Sequence, residues 1–328
     1  MGFFTVGRGC IWLFFTGLLV TSAVRADYTE NAEVKDFVDT MVTKYAFDKD
    51  WLNSKLAQAE KKDSIIEAMS RPAEKVLEWE GYRKIFLTED RIAKGKEFLV
   101  EYKSTFDRME KQFGVPREVV AAIIGVETRY GRHTGNYRVI DALATLAFDY
   151  PPRSKFFRSE FENYFLLTRE QGFDPIELKG SYAGAMGYGQ FIPSSYRNFA
   201  IDFDGDGIAD ILSNPVDAIG SVANYFVKHK WVPGEPVAAK VTVKGDAWQP
   251  LIQKSLKHDK AVADFTANGV VLKEKYDPKA SARLMALNGD NGVEYWLTLR
   301  NFYAITRYNH SEMYALAVYQ LSQAIAGS

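Results

Sequence analysis

The sequence has one cysteine and four histidines among its 328 residues. A Cys/His zinc site, an iron–sulfur cluster or a disulfide scaffold needs several such side chains together, so these classes are excluded. Net charge is nearly absent as well, because 41 basic and 42 acidic side chains leave a formal charge of −1. Nucleic-acid-binding proteins typically carry a broad basic face, so we expect no nucleic-acid partner. What remains is a globular composition, 47% hydrophobic and 14% aromatic, which is typical of an enzyme or a binding protein.

Residues 1–26 have the features of a secretory signal peptide. Arg8 provides a basic start, residues 11–20 form an apolar segment, and Val24 and Ala26 are small residues before a cleavage site. The alternative is a membrane-anchoring helix, but the apolar segment is too short to span a bilayer comfortably. Cys10 precedes the apolar segment, whereas a lipid-anchored protein carries its cysteine after it. We therefore expect a cleaved signal and a periplasmic protein that is soluble rather than lipid-anchored.

Hydrophobic spacing and the placement of proline and glycine divide the rest of the chain. Residues 27–113 have apolar residues three and four apart, the spacing of amphipathic helices. Residues 114–232 begin with an apolar helix from Pro116 to Gly131 and continue with shorter helices and proline-marked turns. Residues 233–298 contain short strand-like runs, EPVAAKVTVKG, GVVLKEKY at 269–276 and EYWLTL. Residues 299–328 return to helical spacing. The sequence predicts a mainly α protein, of α+β type, with a small β-rich insert.

One carboxyl side chain lies on an apolar helix face. Val120, Ile123, Ile124 and Glu127 have the spacing of one face of the helix that Pro116 opens. Desolvation on that face and the negative end of the helix dipole both favour the neutral carboxylic acid. A general acid must hold its proton near neutral pH, so Glu127 is a candidate catalytic acid. The alternative is a glutamate at the edge of the apolar face, paired with a nearby arginine.

The second candidate is the glycine-rich segment 180–190. Gly180, Gly184, Gly187 and Gly189 allow the backbone to approach a ligand closely. Their order matches neither the dinucleotide-binding fingerprint nor the P-loop, so no nucleotide is expected. The alternative is a set of tight turns between helices.

An acidic loop predicts a calcium site. Asp202, Asp204 and Asp206, followed by a glycine, match the start of an EF-hand loop, in which alternate oxygens ligate Ca²⁺. The last ligand position of the standard loop is Ser213 here instead of a glutamate, and Asp217 is the best substitute. The loop would then be longer than the standard one. We expect a structural Ca²⁺ that holds two helices near the glycine-rich segment.

Five segments together resemble the membrane-bound lytic transglycosylase B family. They are GVETRYGR around Glu127, GSYAGAMGYGQFIPSSY at 180–196, the acidic loop, NPVDAIGSVANYF at 214–226 and RYNHSEMY at 307–314. The resemblance covers most of the chain after residue 26, in the family's order. It implies a lysozyme-like α core completed by the C-terminal helices, a helical N-terminal domain, a small β domain and an EF-hand-like calcium loop. It also implies cleavage of the MurNAc–GlcNAc β-1,4 bond of peptidoglycan without water, which leaves a 1,6-anhydro-MurNAc end.

The resemblance also assigns roles to residues. Glu127 would be the single catalytic acid and base, and Ser181 would orient it or the substrate's N-acetyl group. The saccharide groove would be lined by Gln190, Tyr225, Tyr308, Asn309 and Tyr314, with Tyr82 and Arg153 as additional candidates. The calcium ligands would be Asp202, Asp204, Asp206, Ile208 through its carbonyl, and Asp217. The expected partners are peptidoglycan glycan strands and proteins of cell-wall synthesis or division, and the chain itself is expected to be a monomer.

Two alternatives differ in their chemistry. A hydrolytic muramidase would use the same glutamate with water as the acceptor and a second carboxylate, for which the sequence offers Asp141, Asp149 and Glu162. A non-catalytic peptidoglycan-binding protein would hold the glycan without cutting it. The membrane-bound members of the family carry a lipid-attachment cysteine, which this N-terminus lacks. That departure concerns membrane attachment and leaves the expected chemistry unchanged.

Overall fold

The structure, a computed structural model, describes Tyr28, residues 31–70 and residues 77–327. The helices in this part of the chain are α1 (Ala32–Tyr45), α2 (Lys49–Leu56), α3 (Asp63–Met69), α4 (Trp79–Phe86), α5 (Glu89–Glu101), α6 (Lys103–Phe113), α7 (Arg117–Thr128), α8 (Val139–Phe148), α9 (Ser154–Gln171), α10 (Pro193–Phe199), α11 (Pro215–Lys228), α12 (Val262–Ala267), α13 (Arg300–Tyr308) and α14 (Glu312–Ala326). The strands are β1 (Tyr137–Arg138), β2 (Lys179–Gly180), β3 (Ala238–Val243), β4 (Lys260–Ala261), β5 (Val270–Val271), β6 (Ser281–Gly289) and β7 (Gly292–Leu299). The predicted signal peptide lies outside the described residues. Of the described helices, none is long and apolar enough to cross a membrane.

The helical prediction for the N-terminal region is confirmed, since α1 to α6 follow one another between residues 32 and 113. The first helix begins at Asn31, whose side chain accepts a hydrogen bond from the Glu33 backbone N–H at 2.8 Å. Its apolar face is buried and consists of Val34, Phe37, Val38 and Met41. The Phe37 ring stacks on Phe161 of α9, with centroids 5.1 Å apart. The N-terminal helices therefore share one apolar core with the helices that follow.

The apolar helix α7 forms as predicted, but it ends at Thr128 instead of Gly131. Arg129 and Tyr130 adopt left-handed backbone conformations, with φ of 49° and 60°, and these end the helix. The Tyr130 ring folds back onto Gly125, where a Cβ atom would lie 2.5 Å from the tyrosine Oη. The packing of Tyr130 thus fixes the last turn of α7, where the candidate acid lies.

The expectation of shorter helices between residues 132 and 180 is wrong for α9. This helix has 18 residues and is the longest of those that the structure describes. Pro151 and Pro152 lie before it and Pro175 lies after it, so the prolines mark its ends without interrupting it. One face buries the aromatic side chains of Phe157, Phe161, Tyr164 and Phe165. Burial of this aromatic face sustains a helix of five turns.

Residues 238–299 contain a five-stranded antiparallel sheet with the order β4-β6-β7-β3-β5. Its centre is a hairpin of β6 and β7, paired from Ala282 with Leu299 to Gly289 with Gly292. The sequence prediction missed β6, because its continuous apolar run lacks the alternation by which a half-buried strand is recognised. The predicted strand at 269–276 is reduced to Val270–Val271.

The buried apolar side chains of the described residues form two clusters. The larger one extends through the helices and also takes in Met285 and Trp296 from the sheet. The smaller one consists of Val241, Val262, Phe265, Val270, Ala282, Leu284, Leu297 and Leu299. The β6–β7 hairpin therefore contributes side chains to both clusters. On this basis we propose that residues 233–298 form a small domain with its own core, docked on the helical part.

Candidate active site

Glu127 lies half-buried in the last turn of α7, and its partner comes from the start of α14. The Tyr314 hydroxyl donates a hydrogen bond of 2.5 Å to Glu127 Oε1. Tyr314 is 3% exposed and occupies the first turn of α14, where Ser311 Oγ accepts its backbone N–H at 3.2 Å. The N-cap therefore fixes the place of the tyrosine, and the packing of α7 against α14 brings the pair together.

Tyr308 lies close enough to Glu127 for the carboxylate to affect its pKa, and Tyr225 packs against Tyr308. The Tyr308 hydroxyl donates to the Gly189 carbonyl at 2.6 Å, and the Tyr225 hydroxyl donates to a backbone carbonyl of α13 at 2.6 Å. The two rings lie 4.7 Å apart, centroid to centroid. Burial raises the pKa of Tyr308 and of Tyr314 well above the usual value, and the Glu127 carboxylate raises both further. Both phenols therefore remain protonated hydrogen-bond donors at neutral pH.

Thr128, which the sequence analysis does not single out, ties the end of α7 to the glycine-rich segment. Its Oγ1 lies 2.9 Å from the Tyr188 carbonyl and 3.1 Å from the Ile124 carbonyl, and it accepts the Gly131 backbone N–H at 2.9 Å. The side chain is 1% exposed. The sequence feature that could have identified Thr128 is its position, since it is a polar residue directly after Glu127 in an apolar helix. The hydroxyl holds the backbone beside Glu127 in a fixed position.

The glycine-rich segment forms tight turns that pack against the residues following the acidic loop. Gly187 has a φ of 70°, and a Cβ on it would lie 2.2 Å from the Ile211 carbonyl oxygen. Tyr188 donates its backbone N–H to the same carbonyl at 3.1 Å. The tight turns that the sequence left as an alternative are present, and the predicted proximity to the acidic loop is confirmed.

Two polar side chains of this segment stabilise its turns and still keep free groups. Ser181 Oγ accepts two backbone N–H groups, at 3.1 and 3.3 Å. Gln190, with a φ of 50°, donates its amide N–H groups to the carbonyls of Thr134 and Gly187, both at 3.0 Å. Within the described residues, the Ser181 hydroxyl hydrogen and Gln190 Oε1 form no hydrogen bond. These two groups are available to a ligand.

The other predicted groove residues are placed differently. Tyr82 is 2% exposed on α4, and its phenol contributes to the raised pKa of Tyr314, so it borders the pair from inside the core. Asn309 is half-buried between α13 and α14, and its side-chain amide forms no hydrogen bond in the part of the chain that the structure describes. Arg153 is exposed, and its guanidinium carbon lies 4.4 Å from the ring centroid of Phe156.

The three carboxylates considered for a hydrolytic mechanism have structural partners. Asp141 is 1% exposed and accepts a hydrogen bond from Arg138 at 2.8 Å. Asp149 accepts from the Tyr28 hydroxyl at 2.7 Å, and Glu162 accepts from a tyrosine hydroxyl of α1 at 3.0 Å. The latter two side chains tie the central helices to the N-terminal region.

The acidic loop brings three carboxylates together. One oxygen each of Asp202, Asp204 and Asp217 lies within 4.8 Å of the other two. Asp217 is fully buried in the first turn of α11 and accepts the backbone N–H of Phe203 at 2.7 Å and of Asp210 at 2.8 Å. It folds the loop onto α11. Three carboxylates at this separation provide the hard oxygen donors that Ca²⁺ prefers, so the donor set fits this ion.

The other two expected calcium ligands form hydrogen bonds within the loop, and Asp206 is not part of this group of carboxylates. The Asp206 carboxylate accepts the Ile208 backbone N–H at 2.9 Å, and the Ile208 carbonyl accepts the Asp210 N–H at 3.0 Å. The structure thus gathers Asp202, Asp204 and Asp217, while Asp206 and Ile208 bond within the turns of the loop.

Comparison with known proteins gives close relatives along nearly the whole chain. The Transglycosylase SLT domain family matches residues 29–323. Membrane-bound lytic murein transglycosylase B of Escherichia coli K12 is 44% identical over 309 residues, which cover 92% of this chain and 84% of the relative. The structure of catenated lytic transglycosylase SltB1 from Pseudomonas aeruginosa has a TM-score of 0.88 at 46% identity and covers 92% of this chain and 99% of its own. Escherichia coli lytic transglycosylase Slt35, solved in complex with calcium, has a TM-score of 0.84 at 44% identity, with 92% and 94% covered.

These matches include the helices and the sheet alike, and they confirm the predicted mainly α fold with a lysozyme-like core. Identity above 40% over nine-tenths of the chain is far more than a shared fold alone requires. The chain therefore belongs to the lytic murein transglycosylase B family, within the Transglycosylase SLT domain family.

Proposed function

We propose that this chain is a lytic transglycosylase that cleaves the MurNAc–GlcNAc β-1,4 bond of peptidoglycan without water and leaves 1,6-anhydro-MurNAc ends. The observation that carries the proposal is Glu127, a half-buried carboxyl group at the end of α7 that is held by the Tyr314 hydroxyl. The murein-cleaving relative supports the same substrate. Most glycosidases place a second carboxylate at the scissile bond. The candidates for that role, Asp141, Asp149 and Glu162, have structural partners, which favours a mechanism with a single acid.

In this mechanism Glu127 acts twice. It first donates its proton to the leaving glycosidic oxygen, while the substrate's N-acetyl group assists at the anomeric carbon. The glutamate is then a carboxylate, and it accepts the proton of the 6-hydroxyl as that oxygen closes the anhydro ring. Ring closure requires the 6-hydroxyl near the anomeric carbon and water kept away. The ring of Tyr308 near Glu127 and the Tyr225 ring packed against it would provide such a surface.

Tyr314 would assist the first step. A phenol that donates to Glu127 stabilises the carboxylate formed when the proton leaves. Since burial and the neighbouring carboxylate raise the pKa of Tyr314, the phenol keeps its own proton. The free groups of Ser181, Gln190 and Asn309 would bind the hydroxyl and acetamido groups of the sugars.

The test is mass spectrometry of the muropeptides that the protein releases from purified sacculi, beside a Glu127→Gln control. We expect anhydro-muropeptides from the wild type and none from the control. Reducing-end products would instead support the hydrolytic muramidase. Binding to sacculi without any released product would support the non-catalytic binding protein.

We propose further that the acidic loop binds a structural Ca²⁺ through Asp202, Asp204 and Asp217, with Asp206 and the Ile208 carbonyl as additional ligands. The separation of the three carboxylates supports the first three. The calcium complex of Slt35 supports the metal. Bound there, the ion would neutralise the loop's carboxylates and hold the loop on α11. Calorimetry with and without added Ca²⁺ tests this directly.

We also propose that the protein acts as a monomer in the periplasm after cleavage of residues 1–26, with glycan strands and proteins of wall synthesis or division as its partners. The support is the signal-like sequence at the N-terminus and the location of peptidoglycan. N-terminal sequencing of the protein from fractionated cells tests it, and the expected first residue is Asp27.

A further inference from the structure

A cavity of about 420 Å³ lies where the helical part of the molecule meets the sheet. It is bounded by the residues that follow α11, by the first turn of α13, by the segment before β4 and by the first residue of β6. Its volume is within the range of small-ligand sites, about 300–1,000 Å³. None of the residues that line it takes part in the proposed cleavage, so it is a site separate from the candidate active site.

Three cations line this cavity, namely Lys230 after α11, Lys257 before β4 and Arg300 at the start of α13. All three are exposed, and none forms an ion pair within the part of the chain that the structure describes. They are far apart in the sequence, so the fold brings them to one concave surface. Like charges that converge repel one another, and a bound anion would relieve that repulsion.

The charges of the wall match a divalent anion. Among the described residues that line the cavity, Asp259 carries the only negative charge. Burial lowers the pKa of His229 and of His258, so both rings are uncharged at neutral pH. Three cations and one anion therefore leave a charge of +2. A phosphate monoester carries about −1.5 to −2 at neutral pH, whereas a carboxylate carries a single charge.

The remaining groups of the wall suit a phosphate that is attached to a small organic molecule. The Arg300 guanidinium can bind two phosphate oxygens at once, and a lysine ammonium adds a point charge. The exposed Ser281 hydroxyl forms no hydrogen bond among the described residues. Tyr303 is half-buried in the same wall, and the C–H faces of a sugar pack well on such a ring. The volume also exceeds what a lone phosphate group fills.

We propose that this cavity binds a phosphate monoester carried by a sugar-sized molecule, with Lys230, Lys257 and Arg300 around the phosphate. The Tyr303 ring would then pack on the organic group, and Ser281 would donate to a phosphate oxygen. The inference goes beyond the proposed function and does not rest on it, since no residue of the cavity touches the glycan bond that is cut.

The cavity also adjoins the tyrosines of the candidate active site. His229, which lines it, stacks on the Tyr225 ring with the two centroids 4.0 Å apart. Tyr225 in turn packs against Tyr308, with centroids 4.7 Å apart. A ligand in the cavity would therefore contact the outermost of three rings in series, of which the innermost lies near Glu127.

The experiment is calorimetric titration of the protein at low salt with glucose 6-phosphate, with glucose and with glucuronate. We expect binding of glucose 6-phosphate, at least tenfold weaker binding of glucuronate and none of glucose. Lys257→Gln and Arg300→Gln should each weaken the binding of glucose 6-phosphate about tenfold, since each removes a charge-assisted hydrogen bond. Lys244→Gln, a change at an exposed lysine outside the cavity, is the matched control and should bind like the wild type.

An affinity for glucose 6-phosphate no greater than that for glucuronate would overturn the proposal. An unchanged affinity in both folded cavity variants would overturn it as well. Because no step of the titration uses cleavage, its result is independent of the proposed lytic activity.

A second measurement identifies where the phosphate comes from. Vesicles of phosphatidylcholine with and without phosphatidate, a lipid whose headgroup is a phosphate monoester, are sedimented with the protein. Binding to phosphatidate vesicles that glucose 6-phosphate displaces would support the cavity as a site for a lipid headgroup. Binding of glucose 6-phosphate without binding to the vesicles would support it as a site for a soluble phosphorylated molecule.

Discussion

Replacing Tyr314 by phenylalanine removes one hydroxyl and tests the proposed role of the Glu127–Tyr314 pair. The hydroxyl donates at 2.5 Å to Glu127 Oε1 from a side chain that is 3% exposed, so water cannot easily take its place. A hydrogen bond to a charged group contributes about 1.5–3 kcal/mol. If that stabilisation applies to the carboxylate formed in the transition state, kcat should fall about tenfold to a hundredfold. KM should change little, because the hydroxyl is directed to the acid.

The assay is the initial rate of anhydro-muropeptide release at saturating substrate. Tyr319→Phe is the matched control, since Tyr319 also lies on α14 and its hydroxyl donates to the Ala238 carbonyl at 3.0 Å. Both changes should cost about 1 kcal/mol of unfolding free energy. Only Tyr314→Phe should lower kcat. A folded Tyr314→Phe protein with the wild-type kcat would refute the assignment of this hydroxyl to the acid.

Three further outcomes are expected. Chelation with EDTA should lower the melting temperature more than it lowers activity per folded molecule. A calorimetric transition that EDTA leaves unchanged would refute the proposal that the loop binds calcium. Thr128→Val should lower the free energy of unfolding by about 1–3 kcal/mol, because the Tyr188 carbonyl and the Gly131 N–H lose their partner. Urea unfolding measures this difference, and an unchanged free energy of unfolding would contradict the prediction. Burial, with a smaller contribution from the Arg283 cation, lowers the pKa of His258 to about 4. The folded state then binds its proton less readily than the unfolded chain does, so up to about 3 kcal/mol of stability should be lost as the pH falls from about 6.5 to 4. Urea unfolding at the two pH values measures this loss of stability, which should be smaller in His258→Asn than in the wild type. An equal loss in both proteins would exclude this histidine as the cause.

Much of the helical architecture could be predicted from the sequence, because amphipathic spacing carries the information locally. The apolar face of α7 illustrates this. Val120, Ile123 and Ile124 are all 0% exposed, and Glu127 lies on the same face, half-buried. The end of that helix could not be predicted, since it depends on where the Tyr130 ring finds space against Gly125, a contact formed only in the folded chain.

The site could be predicted in its residue types but not in its contacts. The family resemblance named Tyr225, Tyr308 and Tyr314 together. Only the folded chain shows which phenol donates to Glu127 and which two donate to backbone carbonyls. The acidic loop shows the same limit. Asp202 and Asp206 are equivalent in the motif, but in the folded chain only Asp202 has an oxygen close to those of both Asp204 and Asp217.

The pair of Glu127 and Tyr314 joins positions that are 187 residues apart in the sequence. The tyrosine belongs to α14, which packs against α7 and carries buried side chains as far as Ile325. A nascent chain that still lacks α14 exposes the side of α7 that α14 covers, and its Glu127 lacks the hydrogen bond from the Tyr314 hydroxyl. Wall-cutting activity is therefore expected only once α14 is in place. C-terminal truncation, by a premature stop or by proteolysis, should inactivate the protein even when the motif around Glu127 is intact.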